Sequence, residues 1–172
     1  MTRTTWVLLV VGVLAPGCSS SSSSGSDSGW SPSVSKLVLA EAGGFLLPSQ
    51  PTPDCPQEGA EYTLVVASRT LSAWRCTRGS EAPYPLTKES VSRTLSGPEF
   101  DALVPKLEAL EVVQVDTCGA DKAAVLVTLT TPSGTTEYAD SFYSCHDDPR
   151  PTLDTGALDQ AALALRQLAF VN

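Results

Sequence analysis

Four cysteines standing at the margins of two alternating stretches constrain this chain more than any other feature. Cys118 to Cys145 encloses Val125, Val127 and Leu129 alternating with Leu126, Thr128 and Thr130, then a Pro132-Ser133-Gly134 turn, then a return carrying Tyr138 and Phe142. That pattern predicts a β-hairpin with a cysteine at each outer end. Apolar residues on both of its faces predict a place inside a sheet rather than at its edge. Cys55 and Cys76 bound a second such unit, in which Tyr62, Leu64 and Val66 share a face and a turn near residues 67–70 reverses the chain. Trp74 falls opposite Leu71 on the return strand, as a sheet-packing aromatic. With one histidine in the chain and no CxxC, a zinc site is not expected, and disulfides are the reading.

Four cysteines allow three pairings. A turn between Ser68 and Arg69 brings Cys76 opposite Glu61, near Cys55, and a turn centred on Ser133 brings Cys145 opposite Asp121, near Cys118. Hairpin geometry therefore favours Cys55 with Cys76 and Cys118 with Cys145.

Flanking elements complete an α+β pattern. Val34 to Phe45 predicts an opening strand broken by Gly43-Gly44, and a proline-rich loop follows to Cys55. Thr77 to Thr87 reads as loop, and Ser90 to Leu95 as a short edge strand. Ser96, Pro98 and Glu99 form the start signal of a helix, a capping box with proline in the first turn. Phe100, Leu103, Val104, Leu107 and Leu110 give it one apolar face. Pro105 inside that helix predicts a kink or early break. Thr152 to Val171 predicts a second helix capped by Asp154 or Thr155. The expected fold is a mostly antiparallel sheet of two cysteine-bounded hairpins plus flanking strands, packed on two amphipathic helices.

The N-terminus carries an address. Arg3 precedes an apolar run from Trp6 to Leu14, too short to span a bilayer, and Ala15, Pro16, Gly17 and Cys18 follow. Leu14 to Cys18 resembles the signal of bacterial lipoproteins, although Ala15 and Pro16 stand where the usual lipobox has leucine and a small residue. The resemblance implies cleavage after residue 17 and a Cys18 carrying diacylglycerol and an N-acyl chain such as palmitate. It divides the chain into a signal peptide at 1–17, a lipidated cysteine with a serine-rich tether at 18–35, and one domain at 36–172. It also implies a protein held at the cell envelope by lipid, in the outer membrane if Ser19 follows the common sorting habit. Residues 19–35 would reach roughly 20 to 25 Å.

Charge and motifs narrow the functions. The formal net charge is -8, and eleven Lys and Arg are scattered without a basic stripe, which argues against nucleic acid as a partner. His146 could serve a hydrolytic enzyme only with a nucleophile such as Ser141 or Ser144 beside it. Asp116, Asp121, Asp140, Asp147 and Asp148 crowd the cysteine end of the second hairpin, but without a calcium-loop spacing they read as a solvated acidic rim. No P-loop, GxGxxG, HExxH or GxSxG is present, so neither a cofactor nor a metal is expected. The strand ending Gly43-Gly44-Phe45, the Tyr62-Thr63-Leu64 strand and the leucine-rich helix after Leu95-Ser96 resemble the emfourin inhibitors of thermolysin-type metallopeptidases. That resemblance implies Gly43, Gly44 and Phe45 as contact residues. The expectation is an envelope protein with a binding or structural role and a protein partner, with peptidase inhibition as the alternative and hydrolysis third.

Overall fold

β1 (Lys36–Ala42) is paired along all seven of its residues on both sides, with β2 (Gly59–Val65) and with β6 (Ala124–Thr131). The computed structural model describes residues 29–42, 49–114, 119, 122–142 and 149–170. Among them, β2, β3 (Thr70–Arg78) and β4 (Leu86–Thr94) continue an antiparallel meander away from β1. On the other side β6 turns into β7 (Gly134–Asp140), which pairs in parallel with β8 (Thr152–Leu153), and β8 pairs with β5 (Val112–Val113). The result is one eight-stranded sheet in the order β4-β3-β2-β1-β6-β7-β8-β5. The second hairpin sits inside it, as its two apolar faces require, and the α+β fold is the one expected.

Cross-strand partners share a face, so the register sorts every side chain. Leu37, Leu39, Tyr62, Leu64, Leu71, Val127 and Leu129 point to one side and are buried. Helices α1 (Gly97–Glu108) and α2 (Thr155–Ala169) cover that side, burying Leu103 and Leu107 from one, and Leu158, Ala161, Ala162 and Leu165 from the other. The core starts ahead of β1. Trp30 and Val34 belong to it and Gly29 N–H donates to the Leu110 carbonyl, so packed chain begins before the boundary expected at residue 36.

Both turns differ from expectation by a small shift. In the first hairpin Cys76 stands opposite Gly59 and Trp74 opposite Glu61, because the reversal spans Val66 to Arg69, with Arg69 at φ 52 closing it. In the second, Thr131 pairs with Gly134, so the loop is Pro132 and Ser133 alone, and Gly134 takes φ 142, which few other residues tolerate. β4 begins four residues earlier than the edge strand expected at Ser90, because Leu86 is buried beside the disulfide.

Cys55 and Cys76 are bonded, as the hairpin geometry favours. With Leu86 and the half-buried Trp74 they form a small second core on the sheet face away from the helices, where Lys88 lies over the Trp74 ring. Fastening the proline-rich loop across a sequence separation of 21 stabilises the domain by about 3 kcal/mol on the chain-entropy account. Cys118 and Cys145 lie outside the described residues.

The helix signals act as written, with two corrections. α1 runs through Pro105 to Glu108; Pro105 and Asp101 are both on the exposed face, where the carbonyl that proline cannot satisfy is open to water. α2 starts at Thr155 with Asp154 as cap, whereas Thr152 and Leu153 form β8, held between β7 and β5 with Leu153 wholly buried.

At the start of α1, Glu99 receives hydrogen bonds from the Ser96 hydroxyl, the Ser96 N–H and Arg93. These hold its carboxyl at about 2, below the ordinary 4.5. A depressed folded-state value means that the stabilisation is complete above 4.5 and is lost as pH falls toward about 2. Glu99→Gln should therefore melt below wild type at neutral pH, and thermal melts through that acid window should show the gap closing; a gap that stays constant refutes the assignment.

Candidate functional site

Most charged side chains on the helix face gather at one end of the sheet, with Arg93 toward the other. Glu89, Arg75, Ala60, Glu41 and Val125 form a row of cross-strand partners there, and Asp140 closes β7 on the same face. Gly43 follows directly on β1, residues 115–121 lead toward β6, and residues 143–148 follow β7. The sequence candidates in those segments, Gly43, Gly44, Phe45, Cys118, Asp121, Cys145 and His146, thus connect to three adjacent strand ends. These residues themselves, with Asp116, Asp147, Asp148 and Cys18, lie outside the described residues.

α2 crosses this end and meets the row with its own charges. Arg166 places Nη2 at 2.9 Å from both Glu41 oxygens and Nε at 3.5 Å from the Tyr62 hydroxyl. Burial raises the Tyr62 phenol above its usual range against the opposing pull of Arg166, and the Tyr62 hydrogen bond, with Glu41, raises the guanidinium in turn. Beside them Arg75 pairs with Glu89 and lies 4.2 Å from the Phe170 ring centre. A cleft of about 270 Å³ opens between Glu41, Glu58, Tyr62, Arg75, Thr77 and Arg166. Gly59 lines it as well, and a Cβ there would come within 2.7 Å of the Glu41 carbonyl oxygen.

The second cluster surrounds Asp140, which is buried, in contrast to the solvated rim expected of the acidic residues. Its Oδ1 accepts from the Thr155 hydroxyl at 2.6 Å and from Phe142 N–H at 2.9 Å. Lys122 Nζ stands 2.9 Å from Oδ2 and 2.8 Å from Asp159 of α2. Burial pulls the Lys122 pKa down, but the hydrogen bonds it donates to Asp159 and Asp140 outweigh it and leave the amine above its ordinary value. The Ser141 hydroxyl accepts from Thr155 N–H at 3.1 Å, so it caps the helix. Its immediate partners are a hydroxyl and an amide, without a general base among the described residues.

These groups can bind and orient more readily than they can react. Glu41, Glu89, Asp140 and Asp159 each face a cation within the chain, and the pairs of Glu41, Asp140 and Asp159 hold α2 on the sheet end beside a polar cleft at Arg166. Among the described residues no group of three or more His, Cys, Asp and Glu could hold a metal ion, and no helix is long and apolar enough to cross a membrane.

Sequence reasoning passed over Glu41, Lys122 and Arg166, and read Tyr62 as a strand residue without its link to Arg166. Glu41 had a readable signal, since it continues the inward parity of Leu37 and Leu39. Arg166 is one of only two charges in α2, with Asp159. Comparison with known protein families, with curated proteins and with solved structures finds no match for this chain.

Removing Lys122 leaves a buried carboxylate without its cation. Lys122→Met should cost about 3 kcal/mol in urea unfolding, and Asp140→Asn in the same chain should restore most of that loss. A cost below about 0.5 kcal/mol would mean the pair behaves as an exposed one.

Proposed function

We propose that this chain is a lipid-anchored protein of the cell envelope, whose domain binds or supports another envelope component. The observation that carries the reading is the Cys55–Cys76 disulfide, closed between two buried cysteines at the base of a proline-rich loop. Such a bond belongs to an oxidising compartment rather than the cytosol. The signal ending in Gly17-Cys18 supplies the route and the anchor, and attachment of more than one acyl chain makes that anchor stable. The internally paired rim supports a binding role, because side chains already held by ion pairs present a fixed surface at little further entropic cost.

Cys18→Ser tests the anchor. The wild-type chain should fractionate with membranes and incorporate labelled fatty acid, and the variant should lose both; a variant that remains membrane-bound and lipid-labelled overturns the reading.

A second reading, peptidase inhibition through Gly43, Gly44 and Phe45, draws support from the described residues on either side of them. Ala42 is fixed on both sides by Gly59 and Ala124, while beyond residue 48 Gln50 hydrogen-bonds to Tyr84 and Leu86 and Cys55 is disulfide-bound. The contact segment is therefore anchored at both ends, the arrangement that lowers the entropic cost of binding. Titration of thermolysin-type metallopeptidases with the chain should give stoichiometric inhibition that Phe45→Ala weakens. Absence of inhibition at micromolar protein ends this reading.

A further inference from the structure

The sheet ends in two very different edges: β5 spans two residues and β4 nine. Backbone groups of a strand alternate in direction, so half of those in β4 point away from β3. The flanking hydrogen bonds fix which half. The Pro85 carbonyl accepts from Gly79 N–H, on the β3 side, whereas Leu86 N–H points outward and donates to the Gln50 carbonyl at 2.9 Å. Counting on by twos, Lys88, Ser90, Ser92 and Thr94 direct both N–H and C=O out of the sheet. Leu95 N–H, of the opposite parity, donates back to Arg69, in agreement. Gln50 closes the edge at Leu86 and the chain leaves for α1 after Thr94. Four residues with eight outward backbone groups remain, and these groups have no partner among the described residues.

The geometry points to a second copy of this chain as the occupant, its β4 added antiparallel across a two-fold axis at Val91. An antiparallel partner exchanges hydrogen bonds only between residues that face one another, so outward residues must meet outward residues. The open stretch from Lys88 to Thr94 is centred on Val91. About that centre Lys88 meets the second copy's Thr94 and Ser90 meets its Ser92, each twice by symmetry, which satisfies all eight groups. Centring on Ser90 instead sets Thr94 against Leu86, whose N–H is engaged by Gln50. Centring on Ser92 sets Lys88 against Ser96, beyond the strand.

The favoured register is also complementary in charge. It places Val91 against Val91 and Glu89 against the second copy's Arg93, twice, on the helix side of the sheet. Glu89 pairs with Arg75 and Arg93 with Glu99 within one chain, and the Glu89 side chain is 53% exposed, with room for a second guanidinium. Opposite charges directly across a strand pair are favourable, and like charges are not brought together. A long open edge invites strand addition unless it is blocked, and this one matches itself. The inference is independent of the anchor and of the peptidase reading.

The test uses the full chain in mild detergent. Sedimentation velocity over a wide concentration range should show a dimer. Ser90→Pro removes an N–H that has no partner among the described residues, so its thermal melt should match wild type while the dimer dissociates. Val91→Cys should form an intermolecular disulfide under mild oxidation, since a non-hydrogen-bonded pair sets Cα atoms about 4.5 Å apart, within disulfide range. Glu89→Cys, facing Arg93, should not cross-link to itself. Should Ser90→Pro melt lower than wild type, the cross-linking pair decides. A wild-type chain that is monomeric throughout, or a dimer in which Val91→Cys fails to cross-link, overturns the proposal; the first outcome leaves the edge to a strand from another protein.

Discussion

Everything else in this fold depends on β1 being paired on both sides. β2, β3 and β4 form one meander, and β6 and β7 form a hairpin that begins at Ala124, 82 positions after β1 ends at Ala42. Neither unit has a core of its own on the helix side. β1 joins them, with Leu37 between Leu64 and Leu129 and Leu39 between Tyr62 and Val127, all buried. Closing so long a loop carries an entropic cost before any contact forms, but that cost grows only slowly with length. The apolar area buried along the β1 seam and beneath two helices offsets it.

α2 is positioned by the opposite kind of interaction. Its apolar stripe supplies burial, but burial alone fixes neither its direction nor its height over the sheet. Arg166 on Glu41 near one end and Thr155 and Asp159 around Asp140 and Lys122 near the other give it two polar fastenings. These pairs set the rim at the ends of β1, β6 and β7. Positioning and candidate function therefore rest on the same side chains, and the cleft beside Arg166 is a by-product of how the helix is held. The Cys55–Cys76 bond plays the corresponding part on the far face, holding a loop that has little apolar surface of its own.

Local physics explains why the elements were legible and the registers were less so. Ser96 and Glu99 specify a helix start within four residues, and the alternation of Val125 to Leu129 specifies a strand without outside help. The turns were displaced because a reversal rich in small polar residues permits neighbouring centres, and the cross-strand burial chooses among them. Thr152 and Leu153 show the same effect: a sequence that suits a helix became a strand because two edges needed a partner. Asp140 had no local sign of burial, since its cation and its hydroxyl donor come from Lys122 and Thr155, on either side of it in sequence and brought together only by packing.

The sequence by itself determined the fold class, the interior place of the second hairpin, the Cys55–Cys76 pairing and both helices, because periodicity, caps and hairpin closure act between near neighbours. Only the tertiary structure decided that β1 is the seam, that Glu41 and Asp140 are inward carboxylates with cations from other elements, and that the outward edge of β4 is unpaired from Lys88 to Thr94 among the described residues. Those facts concern which strand lies beside which, and strand order depends on burial summed over the whole chain rather than on any stretch of it.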